Sequence, residues 1–364
     1  SHSQSSRFSW MPNPSSWVTW IGLVFVGFGA LSQLVSPVTF RWIAPFGLTF
    51  GAGWILLLVG TCWRLLQFQW LKSLLPGAIL VMTWSSFSLV FSLGVGGVSD
   101  AEAKEWKDDS LSVLTFNVRR LDEFGWLEGD QTRMDIASWL GERDEAIWCF
   151  QEFPSNGDEV LQDAGFSFES SNRTLVAWSD GAGPAIASSY PVIHSEGWMF
   201  SESAGQGRVM QADVLVRADT IRVFSVHLQS LQLKESDYKA VDEGPNQREG
   251  FRLLGLVSSA SAARAQQAQE LKKRMDDSPY PVIVAGDFND VPMSYAMSVL
   301  RSNGTHDTFE ASDFGFKGTH IGSVPGLRID AILVDESMLT LKHETHDVEL
   351  SDHRPVTSTL GLKR

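Results

Sequence analysis

The first 99 residues of this 364-residue chain contain no Asp or Glu and only four basic residues: Arg7, Arg41, Arg64 and Lys72. Of the 29 basic residues in the whole chain, 25 therefore follow residue 99, together with all 43 acidic ones, which gives that part a net charge of −18. The chain thus joins an almost uncharged part to a strongly acidic one. This division excludes an ordinary soluble enzyme. A protein that binds nucleic acid tightly and non-specifically needs a basic surface, and the acidic part has no overall positive charge. Nucleic acid could bind there only through a local basic groove.

Three apolar runs in the first part predict transmembrane helices: Trp17–Val35, Ile43–Cys62 and Leu74–Val95. Each has about twenty residues, the length that crosses roughly 30 Å of hydrocarbon as a helix. A buried bundle of a soluble protein would show a polar face at helical spacing, and none of the runs has one. Tryptophans stand near the ends of the runs, as is typical of membrane interfaces. Gly47 and Gly51 have the small-xxx-small spacing that lets helices approach closely.

We divide the chain into an N-terminal tail (1–16), a three-helix transmembrane anchor (17–98), a polar linker (99–110) and an acidic domain (111–364). We interpret the opening Ser-His-Ser as the remnant of a tag. Basic residues favour the cytoplasmic side, and Arg7, Arg64 and Lys72 outnumber Arg41. The N-terminus is therefore expected inside, and three crossings would place the acidic domain outside.

Strand and helix patterns alternate in the acidic domain, which predicts an α/β fold. The predicted strands are Leu111–Val118, Glu145–Phe150, Val209–Val216, Thr220–His227, Pro281–Ala285, Arg328–Val334 and Val356–Leu360, and the predicted helices are Arg133–Leu140, Ala262–Met275 and Met293–Arg301. The segment Gln229–Ser261 is long for a loop and contains several apolar residues. It is either a lid beside the site or an extra packed helix.

Most predicted strands in this domain end in polar residues. Four carboxylates, two amides and two imidazoles would meet there: Glu152, Asp287, Asp330, Asp352, Asn117, Asn289, His227 and His353. Such oxygen-rich ligands suit Mg²⁺ or Mn²⁺ better than zinc. Imidazoles beside carboxylates suit proton transfer and stabilisation of phosphate charge.

The motifs Asn117-Val-Arg119, His227-Leu-Gln-Ser, Gly286-Asp287-Phe-Asn289-Asp290, Arg328-Ile-Asp330 and Ser351-Asp352-His353 occur in that order. In this order they resemble the endonuclease/exonuclease/phosphatase superfamily, the DNase I-like fold, over about residues 111–361. The resemblance implies a four-layer α/β sandwich, in which helices flank two packed mixed β-sheets, preceded here by three transmembrane α-helices. The chain is also similar to a membrane-bound bacterial group of this superfamily. That similarity implies the inner membrane, with the catalytic domain on the periplasmic side.

The same resemblance implies a divalent-metal site. Asn117 and Glu152 match the first metal positions, with Glu152 a direct ligand. Asp352 matches a further carboxylate beside the metal. We include Asp287 among the metal ligands as well. The implied cofactor is Mg²⁺ or Mn²⁺.

The remaining roles implied by the resemblance are catalytic. Asp287 and Asn289 would hold the attacking water and the phosphate. Asp330 and His353 match an Asp–His pair in which the carboxylate orients the imidazole. His227 matches the second His of the DNase and sphingomyelinase branches, and we count it with Asn289 as substrate-binding.

Five further side chains have either two possible roles or an expected structural role. Arg119 contacts the substrate phosphate or pairs with a nearby carboxylate. Asp290 is expected to cap a helix N-terminus or to support its loop, and His320 is a loop residue or a substrate contact. His343, like His194, is expected at the surface.

The implied activity is metal-dependent hydrolysis of a phosphoester, in particular a phosphodiester, next to the lipid bilayer. The first candidate substrate is a lipid headgroup, as for a sphingomyelinase or a phospholipase. The alternative is an anchored DNase or RNase, which needs a basic groove from Arg119, Arg120, Arg173, Lys234 and Lys317. A further alternative, from a different functional class, is a membrane-bound binding protein without catalytic activity.

Overall fold

The computed structural model describes residues 14–94, 98–99, 105–106, 109–125, 127, 129, 131–232, 246–312, 314–321 and 326–362. The N-terminal part contains four helices: α1 (Pro14–Leu34), α2 (Phe46–Leu66), α3 (Trp70–Met82) and α4 (Trp84–Ser88). A short 3₁₀ turn, Arg41–Ile43, precedes α2.

Two of these helices, not three, are long and apolar enough to cross a membrane: α1, and α2 with its preceding 3₁₀ turn. The prediction of a third spanning helix over Leu74–Val95 is wrong in this respect. The 13-residue helix α3, which begins four residues before the run, and the 5-residue helix α4 are separated at Thr83. A 13-residue helix is only about 20 Å long. The chain nevertheless returns through α3 and α4 to the side of the molecule where α1 ends.

Glycines allow α1 and α2 to pack closely. A Cβ atom on Gly22 would lie 2.5 Å from the backbone nitrogen of Leu57, and one on Gly53 would lie 2.5 Å from the Cβ of Phe25. Of the predicted pair, Gly47 contacts α1 and Gly51 does not. A Cβ on Gly47 would lie 3.2 Å from Ser32 Oγ of α1 and 3.0 Å from the carbonyl oxygen of Met293, and one on Gly51 would lie 3.1 Å from Val90 Cγ1.

The acidic domain contains twelve described strands, four described α-helices of six or more residues and the four-residue helical turn Arg119–Asp122. The strands are β1 (Ser110–Asn117), β2 (Ile147–Pro154), β3 (Thr174–Ala177), β4 (Ala182–Ser188), β5 (Val192–Met199), β6 (Arg208–Val216), β7 (Asp219–His227), β8 (Val282–Asp287), β9 (Thr305–Asp307), β10 (Asp330–Asp335), β11 (Met338–Thr345) and β12 (Val356–Leu362). The helices are α5 (Thr132–Gly141), α6 (Gly157–Asp163), α7 (Gln247–Asp276) and α8 (Tyr295–Leu300).

The strands form two mixed six-stranded sheets. Their orders are β11-β12-β1-β2-β4-β3 and β5-β6-β7-β8-β10-β9. Alternate apolar residues of both sheets meet between them, for example Val113 and Ile147 from the first and Val223 and Ile283 from the second. The helices α5 and α6 cover the outer face of the first sheet, and α7 and α8 cover that of the second. The predicted four-layer α/β sandwich is therefore confirmed.

The helical part docks on the acidic domain through buried contacts. The hydroxyl of Ser32, near the end of α1, donates to the carbonyl of Met293 at 2.8 Å. The guanidinium of Arg328 donates at 2.8 Å to the carbonyl of Leu89, which follows α4. Ser92 exchanges two backbone hydrogen bonds with Gly315. The end of α1, the start of α2 and the segment after α4 therefore all lie against the acidic domain.

Candidate active site

Strand register brings three predicted site residues side by side in the second sheet. β7 and β8 run parallel with His227 opposite Asp287, and β10 runs antiparallel to β8 with Asp330 opposite Asp287. Gly286 allows β8 to lie this close to β7, because a Cβ there would stand 2.1 Å from the carbonyl oxygen of Val226. Asp287 is thus the central member of a row that runs across three neighbouring strands.

The first sheet contributes Asn117 and Glu152 to the same point. The amide of Asn117, at the end of β1, donates to Asp287 Oδ2 at 3.0 Å and lies 3.5 Å from Glu152 Oε1. Glu152 sits at a β-bulge of β2, between Phe150 and Phe153, with a φ of 51°. A bulge re-aims a side chain that regular alternation would point elsewhere. The site therefore lies where the edges of the two sheets meet.

His353 is held by two carboxylates. Its Nδ1 hydrogen-bonds Asp330 Oδ2 at 2.9 Å, and its Nε2 lies 3.7 Å from Asp287 Oδ2. Burial alone would lower the pKa of His353, but the negative charges of Asp330, Asp287 and Asp352 outweigh it and raise this pKa to about 10. The structure thus contains the Asp–His pair that the sequence predicted.

His227 approaches Asp287 from the other side. Its Nε2 lies 3.7 Å from Asp287 Oδ2 and 3.8 Å from Glu152 Oε1. The backbone N–H of Asn289 donates to Asp287 Oδ1 at 2.8 Å, and the Asn289 amide donates to the carbonyl of Leu228 at 3.1 Å. Both imidazoles therefore flank one carboxylate, whose other oxygen is fixed by its own loop.

For Arg119 and Asp290, the structure distinguishes between the interpretations. Arg119 Nη1 forms an ion pair with Asp352 Oδ2 at 3.0 Å, so the carboxylate-pairing interpretation describes it here. Asp290 is buried, accepts from Arg264 Nε at 2.9 Å and caps the N–H of Val291. It supports the loop, as expected.

His320 belongs to the site more closely than the sequence indicated. It forms an isolated β-bridge with His353, and the two rings lie 5.1 Å apart with an interplanar angle of 64°. Burial and the neighbouring His353 lower the pKa of His320, against the attraction of the surrounding carboxylates. Nothing in its local motif, Lys317-Gly-Thr-His320, indicates this position, because the pairing partner is more than thirty residues away.

The donor set fits a hard divalent cation. Among the described residues, ligand atoms lie within 4.8 Å of one another in two groups: Asp287, Asp330 and His353, and His320, Asp352 and His353. Glu152 belongs to neither group, although it lies beside Asn117 and His227. Asp330 Oδ1 is buried and has no hydrogen-bond partner in the described part of the chain. Buried carboxylate oxygens of this kind are normally paired or bound to a metal.

A cleft of about 410 Å³ lies beside the strand end that bears Glu152. Arg120, Arg133 and residues Pro154–Asn156 line it. Arg120 also pairs with Glu123.

Comparison with known proteins agrees with this architecture. Residues 114–353 match the family model described as "Endonuclease/Exonuclease/phosphatase family". No curated protein sequence is similar enough to count as a match.

Solved structures with the same fold are similar at low sequence identity. An endonuclease/exonuclease/phosphatase family protein from Bacteroides thetaiotaomicron has a TM-score of 0.53 and 16% identity, over 69% of this chain and 97% of that one. D. rerio TDP2 in complex with a single-strand DNA product has a TM-score of 0.52 and 17% identity, over 70% of this chain and 99% of that one. A Bacteroides vulgatus protein with the same family description has a TM-score of 0.50 and 18% identity, over 70% and 99% of the two chains. These likenesses concern the fold.

Proposed function

Because this chain belongs to the endonuclease/exonuclease/phosphatase family, we propose that it is a membrane-anchored phosphodiesterase that hydrolyses a lipid headgroup. Enzymes of this family are typically metal-dependent phosphoesterases. The observation that carries the proposal is the placement of Asp287. Its Oδ2 accepts from Asn117 and lies 3.7 Å from each of two imidazoles, His227 and His353.

Asp287 is the residue that orients and deprotonates the attacking water. Its carboxylate is fixed by Asn117 and by the N–H of Asn289, so it presents one geometry for in-line attack. A general base needs this kind of fixed position within hydrogen-bond reach of the proton it takes. Asn289 binds the phosphate on the same loop.

The imidazoles of His227 and His353 stabilise the phosphoryl oxygens from two sides, and one of them protonates the leaving oxygen. Asp330 keeps His353 in orientation through the 2.9 Å hydrogen bond. Arg119 acts through Asp352, which it holds at 3.0 Å.

Glu152, Asn117, Asp287 and Asp352 are the residues that would hold Mg²⁺ or Mn²⁺. When bound, such an ion polarises the phosphoryl oxygen and neutralises charge on the leaving group. The crowding of carboxylates in this part of the site is consistent with a cation, since like charges at short range repel one another.

The state of the arginines favours a lipid over a nucleic acid. If this protein were a nuclease, it would need a basic groove. However, Arg119 pairs with Asp352 and Arg120 pairs with Glu123. Arg173 donates to the carbonyl of Glu145 and lies over the ring of Trp148, with its guanidinium carbon 3.9 Å from the ring centroid. Lys234 lies outside the described residues. The candidate groove is thus largely committed to internal contacts, while the helical part keeps the site near a bilayer.

Anchoring in a membrane rests on α1 and α2. Both combine sufficient length with apolar composition. Their side chains are exposed where a soluble protein would bury them, for example Trp20 at 59% and Val59 at 50%. With Arg64 and Lys72 at the end remote from the catalytic domain, the positive-inside rule favours a periplasmic catalytic domain in a bacterial inner membrane.

A turnover screen of the full-length protein in detergent tests the proposal. The panel contains phosphodiester lipids, bis(p-nitrophenyl) phosphate, and single- and double-stranded nucleic acid, each with Mg²⁺ or Mn²⁺. Lipid turnover that chelation abolishes and Mg²⁺ restores is expected. Turnover of nucleic acid alone would contradict the lipid assignment, and a protein inactive on every substrate would contradict the enzymatic one.

The second candidate, an anchored nuclease, is favoured by one comparison and one surface. The D. rerio TDP2 structure of this fold is described as holding a single-strand DNA product. The cleft lined by Arg120 and Arg133 could take a nucleic-acid backbone beside Glu152. The nucleic-acid arm of the screen decides between the two.

A further inference from the structure

A groove of about 300 Å³ lies where α2 meets the catalytic domain. One wall comes from α2 and includes Leu48, Ala52 and Ile55. The opposite wall comes from two loops of the catalytic domain, Val291–Met293 and Phe316–Gly318. This volume is at the lower end of the range for ligand pockets, and the lining is mainly apolar.

Glycines hold this groove open. On α2 they are Gly47 and Gly51, whose spacing predicted a helix–helix contact that only Gly47 makes with α1, at Ser32. An added Cβ at Gly47 would lie 3.0 Å from the Met293 carbonyl oxygen, and one at Gly51 would lie 3.1 Å from Val90 Cγ1. Larger residues there would narrow the space between the helix and the domain.

Both loops of the groove lead directly into the active site. Val291 is four residues after Asp287, so their Cα atoms are at most about 14 Å apart. On the other side, Gly318 precedes Thr319, whose hydroxyl accepts the backbone N–H of Asp330 at 3.1 Å. The next residue, His320, bridges to His353. Two loops that line the groove therefore continue directly into the residues of the active site.

The surroundings of the groove are those of a membrane boundary. Leu48 and Ile55 on the groove side of α2 are 45% and 39% exposed, and in a bilayer this helix face meets acyl chains. Phe314 and Phe316 are exposed beside the groove and pack edge-on against Phe91, which follows α4. Exposed aromatic rings at the end of a spanning segment are typical of the interface between lipid and water.

We infer that this groove binds an acyl chain of a membrane lipid and so presents its phosphodiester to Asp287. The inference rests on the proposed function and specifies its substrate: a diester with a long acyl chain, taken laterally from the bilayer. Lys317, which lines the same groove, places a positive charge where the anionic headgroup joins the chain. The anchor then forms one wall of the substrate site in addition to tethering it.

A photocrosslinking experiment tests the groove without relying on turnover. Full-length protein is placed in phosphatidylcholine vesicles that contain a phosphatidylcholine with a diazirine near the carboxyl end of one acyl chain. Ala52→Trp fills the groove from its exposed side. Val59→Trp, seven residues later on the same helix and outside the groove lining, is the matched control. We expect crosslinks on Val291–Met293 and Phe316–Gly318 in the wild type and in Val59→Trp, and their loss in Ala52→Trp. Absence of crosslinks from these two loops, or equal crosslinking in both variants, would overturn the inference.

An activity comparison separates the groove from the proposed function. Ala52→Trp is expected to reduce kcat/KM on a long-chain phosphodiester lipid at least about tenfold more than on bis(p-nitrophenyl) phosphate, since it blocks only the acyl chain. Equal reductions would count against the groove even in an active enzyme. A wild type that crosslinks as expected but hydrolyses no phosphodiester would leave the lipid-binding groove standing and remove the function.

Discussion

Asp287 has both of its carboxylate oxygens engaged and is almost completely buried, at 1% exposure. Oδ1 accepts the N–H of Asn289, and Oδ2 accepts the amide of Asn117. The imidazoles of His227 and His353 stand at equal distances from Oδ2. An amide in place of this carboxylate would keep the shape of the site. It would remove the negative charge that faces the two imidazoles and the base that takes the proton from water.

Asp287→Asn is therefore expected to reduce kcat by about 10²–10⁴-fold, the usual loss when a general base is removed. The melting temperature should change far less than the rate. The measurement is Mg²⁺-dependent hydrolysis of bis(p-nitrophenyl) phosphate by the detergent-purified protein. Asp219→Asn, at the exposed start of β7, is the control and should retain activity. A loss of less than tenfold in Asp287→Asn would contradict its role.

His343 contradicts the sequence-based expectation of a surface residue and leads to a prediction about acid stability. It is 2% exposed, and its Nδ1 lies 2.9 Å from the hydroxyl of Thr308. Burial lowers the pKa of His343 to about 3, with the attraction of Asp307 opposing and Arg328 adding to the effect. Because the folded-state pKa is below the ordinary value of about 6.5, the unfolded chain takes the proton first as the pH falls.

The stability from neutral His343 is thus fully present above about pH 6.5 and is lost as the pH falls towards 3. Between pH 7 and pH 5, this loss lowers the free energy of unfolding by about 2 kcal/mol. His343→Gln, which can keep a hydrogen bond to Thr308, should reduce the difference between the melting temperatures at pH 7 and pH 5. His194→Gln, on an exposed position of β5, should leave that difference unchanged. Identical pH dependence in wild type and His343→Gln would refute the prediction.

At this scale the sequence predicts which residues form the site, but not the bulge, turn and long-range contacts that place some of them. Asn117, His227 and Asp287 end apolar strands and Asp330 begins one, and adjacent strand ends must lie together. Glu152 and Asn289 adopt positive φ values, 51° and 52°, that depend on a bulge and a tight turn. The partners of His320 and Arg119 lie far along the chain, so local patterns do not show them.

Among the secondary-structure elements, α7 differs most from its prediction. The sequence predicted Ala262–Met275, and the helix extends from Gln247 to Asp276. Asn246 and Glu249 form a capping box at its start, a signal that the sequence analysis did not use. Residues 247–261 of the preceding segment are helical, as the second interpretation predicted, and the buried residues of this stretch begin at Ser258. Leu233 and Tyr238, part of the predicted lid, lie outside the described residues.

Arg264 of α7 ties this helix to the catalytic loop. Its guanidinium donates to Asp290 at 2.9 Å and to the carbonyl of Gln229 at 3.0 Å, which fixes the segments after β8 and after β7 together. Both members of the ion pair are buried, at 3% and 9% side-chain exposure. Removing one partner of a buried pair leaves an uncompensated charge.

Arg264→Leu is accordingly expected to reduce the free energy of unfolding by about 3–5 kcal/mol. Arg274→Leu, on the same helix, removes an exposed ion pair with Glu196 and should change it by less than about 1 kcal/mol. Denaturant unfolding, followed by the fluorescence of the tryptophans, measures both. Similar losses of unfolding free energy in the two variants would show that the buried ion pair stabilises the protein no more than the exposed one.

At the scale of the whole molecule, the anchor and the catalytic domain share buried contacts that hydropathy cannot reveal. Hydropathy gives the length of an apolar run but not a break within it. The third run is interrupted at Thr83, whose hydroxyl accepts from the indole of Trp54 at 3.1 Å. The docking bond between Arg328 and the carbonyl of Leu89 joins residues 239 positions apart. The sequence therefore predicted an anchor but not that the anchor packs against the active-site loops.

This packing makes the orientation testable, because it fixes which end of the anchor lies beside the catalytic domain. The ends of α1 and α4 contact that domain, so the turn after α2 lies about 30 Å away, the length of a 21-residue helix. That distant turn carries Arg64 and Lys72 on its flanks, and the positive-inside rule predicts that it lies in the cytoplasm. The native cysteines allow a labelling test, because Cys149 is buried with a raised pKa and only Cys62 must be replaced. In a Cys62→Ser background, a membrane-impermeant maleimide should label Ser99→Cys in intact bacterial cells and Gln67→Cys only after permeabilisation. The opposite pattern would place the catalytic domain in the cytoplasm, and equal labelling of both sites in intact cells would exclude a spanning α2.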